Sequence, residues 1–142
     1  MKLERTVETD ATPETVFAYL SDFTTTTEWD PGTVKTVRVT GDGGVGTTYD
    51  NTSKFMGRET QLTYEVVDHQ APSLFRLHGT NKTVEATDTM RIEPNGAGSR
   101  VTYTADFTFK GVAKLIAPLL APALKKLGDE AEEGLRTALA RL

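Results

Sequence analysis

The sequence predicts an α+β domain in which a curved antiparallel sheet of about seven strands wraps around a long C-terminal helix. Two observations lead to this fold. From Val34 to Lys110, residues alternate with a period of two, and turn residues interrupt the pattern at short intervals. After Gly111, alanine, leucine, lysine and glutamate replace threonine, and apolar residues recur at helical spacing. A sheet with one apolar face and a helix with one apolar stripe bury both surfaces by packing together.

The composition limits both the architecture and the class of function. The 142 residues suggest a single domain, 1–142, with a substantial core. A net charge of −4 argues against nucleic-acid binding, which requires a basic surface. With no cysteine and only two histidines, the chain indicates neither a metal site nor a thiolate nucleophile, and we expect no cofactor. The polar N-terminus lacks the apolar core of a signal peptide, so we expect a cytoplasmic protein.

The N-terminal part predicts a strand followed by a helix. Lys2 to Thr9 alternates apolar with polar residues, which is typical of a strand. In the following ATPETVFAYLSDF, Thr12 is a suitable N-cap, proline occupies the first helical position, and apolar residues recur at helical spacing. We therefore predict a helix from about Pro13 to Ser21.

Six further strands follow, joined by short turns that imply antiparallel hairpins. The alternation places the side chains of each strand on two opposite faces of the sheet. One face of each strand carries, in order, Val37 and Val39; Tyr49, Asn51, Ser53 and Phe55; Leu62, Tyr64 and Val66; Phe75 and Leu77; Met90 and Ile92; and Val101, Tyr103, Ala105, Phe107 and Phe109.

The C-terminal segment up to Leu142 carries one apolar stripe and predicts a long amphipathic helix. Its first part, LIAPLLAPAL (115–124), is much shorter than the roughly 20 apolar residues that span a bilayer, so we expect no membrane insertion. Proline inside a helix removes a hydrogen bond. Pro118 and Pro122 therefore predict a short lead-in helix and a main helix that begins near Pro122. A further hypothesis is that the lead-in helix moves as a gate.

Several short motifs carry a resemblance to a known family. They are Pro13-Glu14-Thr15-Val16-Phe17, Ser21-Asp22-Phe23, Glu28-Trp29-Asp30-Pro31, Gly44-Val45-Gly46, Pro94 to Thr102 and Gly134-Leu135-Arg136. With the order of elements, they resemble the START-like (SRPBCC) superfamily, and within it the polyketide cyclase/dehydrase and lipid-transport group. The resemblance covers essentially the whole chain. It implies a helix-grip fold, with two short helices after the first strand and a cavity between the sheet and the long helix.

The stretch FTTTTEWDPGTV (23–34) looks like a linker, yet it contains the only tryptophan. The resemblance places the second short helix here, with the threonine hydroxyls free to cap N–H groups. Trp29 would then close one end of the sheet. Contact between Trp29 and a ligand is the alternative interpretation.

Four polar side chains share the inward face of the predicted sheet: Asn51, Ser53, Tyr64 and Asp88. They either orient a ligand in an apolar pocket or hydrogen-bond to one another, to backbone or to water. His78 is predicted to face outward and His69 to lie in a turn, and no catalytic motif is present. We therefore assign no catalytic residue and predict a pocket lined by Asn51, Ser53, Phe55, Leu62, Tyr64, Phe75, Leu77, Asp88, Met90, Tyr103, Phe107, Leu120 and Leu124.

Three functions fit these features. The first is binding of an apolar small molecule, lipid-like or aromatic and polyketide-like, which requires a cavity of about 300–1,000 Å³. The second is a cyclase/aromatase-type enzyme, which requires an inward titratable pair. The third is a protein-interaction module with a filled core and an exposed apolar patch. The lack of a clearly inward histidine favours binding over catalysis. We expect the protein to be a monomer or a homodimer.

Overall fold

The computed structural model describes every residue from Met1 to Leu142. It has seven strands and three α-helices, with a single 3₁₀ turn at Phe23–Thr25. The elements in chain order are β1 (Lys2–Thr9), α1 (Pro13–Leu20), α2 (Thr26–Trp29), β2 (Thr33–Thr40), β3 (Thr48–Phe55), β4 (Arg58–Gln70), β5 (Leu74–Thr80), β6 (Val84–Asn95), β7 (Gly98–Phe109) and α3 (Ala113–Leu139). The predicted order of elements and the α+β class are confirmed.

All seven strands form one antiparallel sheet in the order β1-β7-β6-β5-β4-β3-β2. Strands β2 to β7 are consecutive neighbours, as short hairpin connections require. β1 then pairs with β7 at the far edge. α3 packs against β1, β7 and α2, while α1 packs across β6 and β7. The two helical layers therefore cover different parts of the same sheet face.

Local sequence signals explain how α1 begins. The Thr12 hydroxyl accepts a hydrogen bond from the Thr15 backbone N–H at 3.3 Å, and Pro13 occupies the first turn. This satisfies one of the free N–H groups at the helix start. The predicted N-cap and helix are therefore confirmed.

Strand β2 departs from the simple alternation. Val37 and Val39 are exposed, whereas Thr36, directly before them, is buried. Two register shifts interrupt the pairing of β2 with β3, and an irregular edge strand is free to turn its side chains in this way. The valines therefore support the extended backbone of β2 without contributing to the core.

Helix α3 is continuous, and the predicted break at its two prolines is wrong. Pro118 and Pro122 lie one turn apart on the exposed side of the helix. The hydrogen bond lost at Pro118 frees the carbonyl of Lys114, which lies on the same solvent-facing side. Water can hydrogen-bond that carbonyl, so the helix continues through both prolines. None of the helices has both the length and the hydropathy needed to cross a bilayer.

Gly134 allows α3 to approach α2 closely. A Cβ atom at this position would lie 1.9 Å from the backbone oxygen of Trp29. Any other residue would push the two helices apart, because that contact is with backbone that cannot rotate away. Leu135, Ala138 and Leu139 follow on the inward side and are buried in the hydrophobic core.

Candidate functional site

A cavity of about 600 Å³ lies between the sheet and α3. Inward side chains of β3, β4, β6 and β7 form one wall, while α2 and α3 form the other. More than half of the lining residues are hydrophobic. The volume falls within the range of small-molecule pockets, and the lining resembles theirs.

Ten of the thirteen predicted pocket residues line this cavity. They are Asn51, Ser53, Phe55, Leu62, Tyr64, Asp88, Tyr103, Phe107, Leu120 and Leu124. The other three, Phe75, Leu77 and Met90, lie outside the cavity and must be removed from the predicted set. They are completely buried, because α1 packs over this part of the sheet. Phe17 of α1, for example, contacts Phe75 edge to face, with ring centres 6.4 Å apart.

A series of hydrogen bonds between side chains leads from the cavity wall to the backbone. The Ser53 hydroxyl donates to Asn51 Oδ1 at 2.7 Å, and Asn51 Nδ2 donates to Thr36 Oγ1 at 2.8 Å. The Thr36 and Thr26 hydroxyls are 2.7 Å apart, and Thr26 donates to the Phe23 carbonyl at 2.8 Å. Both polar groups of the Asn51 amide thus have protein partners. The Ser53 oxygen keeps the capacity to accept a hydrogen bond from the cavity.

The second polar feature of the cavity is a hydrogen-bonded pair, Asp88 on β6 and Tyr103 on β7. The Tyr103 hydroxyl donates to Asp88 Oδ2 at 3.0 Å. Burial raises the pKa of Asp88 from its ordinary value of 3.8 to about 7, opposed by the Tyr103 hydrogen bond and reinforced by Asp30. Burial and the nearby Asp88 carboxylate raise the pKa of Tyr103 well above 10. The cavity therefore contains the inward titratable pair that acid–base chemistry needs.

Tyr64 presents a free hydroxyl at the cavity wall. Its side chain is buried and lines the cavity, and its hydroxyl has no hydrogen-bond partner in the protein. Gly79 lies opposite on β5, and a Cβ atom there would be 2.6 Å from the Tyr64 ring. The missing side chain of Gly79 lets the tyrosine ring lie flat on the sheet. Burial, and then the charge of Asp88, raises the pKa of Tyr64 well above 10.

Trp29 and Asp30 also line the cavity, although neither belongs to the predicted set of pocket residues. The Trp29 ring is buried and meets Tyr103 edge to face at 5.4 Å, but its Nε1–H has no partner. Asp30 accepts hydrogen bonds from the Gly32 N–H at 3.0 Å and the Thr33 hydroxyl at 3.1 Å. Burial raises the pKa of Asp30. The signal for both is the Glu28-Trp29-Asp30-Pro31 motif, in which Trp29 is predicted as a plug with ligand contact as the alternative, and no role in the site is predicted for Asp30.

Neither histidine lies in the cavity. His69 belongs to β4, so its predicted turn position is wrong, and its ring packs edge to face on Phe17 with centres 5.0 Å apart. A register shift between Val66 and Asp68 turns His69 towards α1. His78 is half-buried and lies 3.3 Å from the Thr87 hydroxyl. The structure shows no group of three or more acidic, histidine or cysteine side chains suited to a metal ion.

Known structures share this architecture. The Zhui aromatase/cyclase from a Streptomyces species superposes with a TM-score of 0.83 at 14% identity, covering 98% of this chain and 93% of that one. TTHA0849 from Thermus thermophilus gives 0.78 at 18% identity, with coverages of 98% and 95%. A START superfamily protein from Mycobacterium smegmatis gives 0.74 at 17% identity, with coverages of 97% and 96%. At these identities the similarity establishes the fold.

Sequence comparison supplies the family. No curated protein matches the sequence. The family model described as polyketide cyclase / dehydrase and lipid transport matches residues 1–140. Since that match spans nearly the whole chain, and the helix-grip architecture is the one just described, the protein belongs to the polyketide cyclase/dehydrase and lipid transport family.

Proposed function

We propose that the protein binds an apolar small molecule, lipid-like or aromatic and polyketide-like, in the cavity between the sheet and α3. The observation that carries this proposal is the cavity of about 600 Å³ with a mainly hydrophobic lining. Transfer of apolar ligand surface from water contributes about 25 cal/mol for each Å² buried. A space of this size inside a domain of this length is far larger than a packing defect.

Polar groups in the wall would orient the ligand. The Tyr64 hydroxyl has no protein partner, and Asp88 uses only one carboxyl oxygen for Tyr103. A ligand oxygen, such as a hydroxyl or carbonyl, could complete hydrogen bonding at either group. The ligand is therefore expected to be apolar over most of its surface and to carry at least one oxygen.

Native mass spectrometry of freshly purified protein tests the proposal directly. We expect a co-purifying molecule, or a thermal shift with members of a panel of fatty acids and polycyclic phenols. Leu120→Phe should reduce binding by filling the cavity, while Leu119→Phe is the matched control, because the neighbouring Leu119 lies outside it. A protein that is always empty and shifts with no member of the panel would refute the proposal.

Trp29 provides a second readout of binding. It is the only tryptophan, its indole lies in the cavity wall, and its N–H lacks a partner. A ligand that fills the inner half of the cavity should change its emission, whereas one confined to the mouth should not. Fluorescence titration therefore reports where the ligand lies as well as whether it binds.

A second candidate function is a cyclase/aromatase-type enzyme, favoured by the hydrogen-bonded Asp88–Tyr103 pair. With a pKa of about 7, Asp88 can both donate and accept a proton near neutral pH. Turnover of an aromatic polyketide precursor analogue should then disappear in Asp88→Asn, although the variant still binds the analogue. Binding without turnover in the wild-type protein supports the first function instead.

The interaction-module hypothesis required a filled core. The cavity argues against it, because a module without ligand would gain stability by filling that space. The oligomeric state, monomer or homodimer, stays a prediction that light scattering can test.

A further inference from the structure

Helix α3 exposes an unusual number of large apolar side chains at its N-terminal end. Val112, Leu115, Ile116 and Leu119 are each exposed by half to four-fifths of their surface. Met56, at the β3–β4 turn, is exposed to a similar extent. We call these five residues the apolar rim. Surface helices normally place charged or polar residues on their outer face, whereas between Val112 and Leu119 the exposed side chains are mainly apolar and Lys114 is the single charged residue.

The apolar rim lies at the mouth of the cavity. Met56 and Ile116 belong both to the rim and to the cavity lining. They reach the opening from opposite sides, one from the β3–β4 turn and one from α3. Whatever covers the rim therefore also covers the entrance to the cavity.

The charge around the rim is positive, although the protein as a whole has a net charge of −4. Residues 110–126 contain four lysines and no acidic residue. Lys110 and Lys126 approach Glu85 and Glu130 only at 4.0 and 3.9 Å, and no ion pair engages Lys114 or Lys125. These two lysines lie before and after a run of ten residues that are all apolar or proline.

We propose that the apolar rim docks on the surface of an anionic lipid bilayer. Apolar side chains of interfacial helices enter the boundary between headgroups and acyl chains, while lysines attract anionic headgroups. Protein–protein interfaces are instead depleted of lysine, which makes a protein partner the poorer match. The proposal holds whether or not the cavity is occupied. With the cavity mouth on the bilayer, an apolar ligand could pass between them without crossing water.

Vesicle flotation with the full chain tests this proposal. Phosphatidylcholine vesicles with roughly one-third phosphatidylserine should bind the protein, and pure phosphatidylcholine vesicles should bind it at least about tenfold less. Salt at about 1 M should release it, because the screening length falls to about 3 Å. The double substitution Leu115→Ser, Leu119→Ser should lower the partition coefficient about tenfold or more. Lys114→Glu, Lys125→Glu should abolish the preference for anionic lipid.

A matched control uses Val37→Ser, Val39→Ser, which removes two exposed apolar side chains from β2, away from the rim, and should leave vesicle binding unchanged. Unchanged binding of the Leu115, Leu119 variant would overturn the proposal, as would equal, salt-insensitive binding to both vesicles. A wild-type dimer that this variant converts to a monomer would show that a second copy covers the rim. Native mass spectrometry without vesicles should show the same cavity ligand in the variant, so docking can fail while the proposed function holds.

Discussion

Asp88→Asn is the most informative single substitution, because the buried carboxyl group couples protonation to stability. Its pKa is about 7 in the folded protein and about 3.8 when unfolded. Between these values the folded state holds a proton that the unfolded state has released, so the free energy of unfolding falls as pH rises. Asparagine has no charge to bury, and its side-chain oxygen can still accept the Tyr103 hydrogen bond.

The size of the effect follows from the pKa. A rise from 3.8 to about 7, at about 1.36 kcal/mol for each pH unit, corresponds to about 4 kcal/mol of unfolding free energy lost between about pH 4 and pH 7. The loss is complete above the folded-state pKa. Asp88→Asn should therefore be more stable than the wild type by up to about 4 kcal/mol near pH 8, and nearly equal to it near pH 4.

Urea unfolding followed by circular dichroism at a series of pH values measures this difference. The control is Asp50→Asn, which neutralises an exposed carboxylate on strand β3 of the same sheet. Asp50→Asn should follow the wild-type pH profile, whereas the Asp88→Asn profile should be flatter. Parallel profiles for the wild type and Asp88→Asn would show that the carboxyl group is not held protonated by its surroundings, which would refute the reasoning and weaken the enzymatic alternative.

Four other substitutions probe the cavity and the long helix. Gly79→Ala should cost about 1–3 kcal/mol of stability in urea unfolding, because its Cβ would meet the Tyr64 ring at 2.6 Å; no loss would contradict that packing. Tyr64→Phe should leave stability almost unchanged but weaken ligand binding in titrations, since the hydroxyl lacks a protein partner; equal affinity would exclude it as an anchor. Leu135→Ala should cost about 2–5 kcal/mol, because the side chain is completely buried. Pro118→Ala should slow amide exchange at the start of α3, where a hydrogen bond is restored; unchanged exchange would count against the gate hypothesis.

Local patterns predicted most of the fold, for reasons visible at single residues. Thr12 and Pro13 marked the start of α1, because capping depends on only a few adjacent residues. The alternation in β3 placed Tyr49 and Asn51 inside, because successive side chains of a strand point to opposite faces. The two failures, the helix break at Pro118 and the position of His69, depended on surroundings that the local pattern does not contain.

The candidate site was less predictable than the fold. Alternation placed Phe75 and Tyr64 on the same inward face, but α1 packs over Phe75 and leaves Tyr64 facing the cavity. Periodicity alone cannot distinguish packing against a helix from facing a cavity, because in both cases the side chain points to the inward face of the sheet. For the same reason the pattern left the role of Trp29 open and did not indicate Asp30, since their place in the wall depends on how closely α3 approaches α2 at Gly134.

The sequence by itself determined the order of elements, the antiparallel pairing and the inward faces of most strands, because periodicity, capping and turn residues act over a few neighbouring positions. Only the tertiary structure decided which inward side chains pack against a helix and which face empty space. It also decided the protonation of Asp88, because desolvation depends on residues brought together from distant parts of the chain. The tertiary structure likewise decided that apolar side chains at the start of α3 stay exposed. A stretch that is apolar on all sides does not reveal which side the fold leaves uncovered.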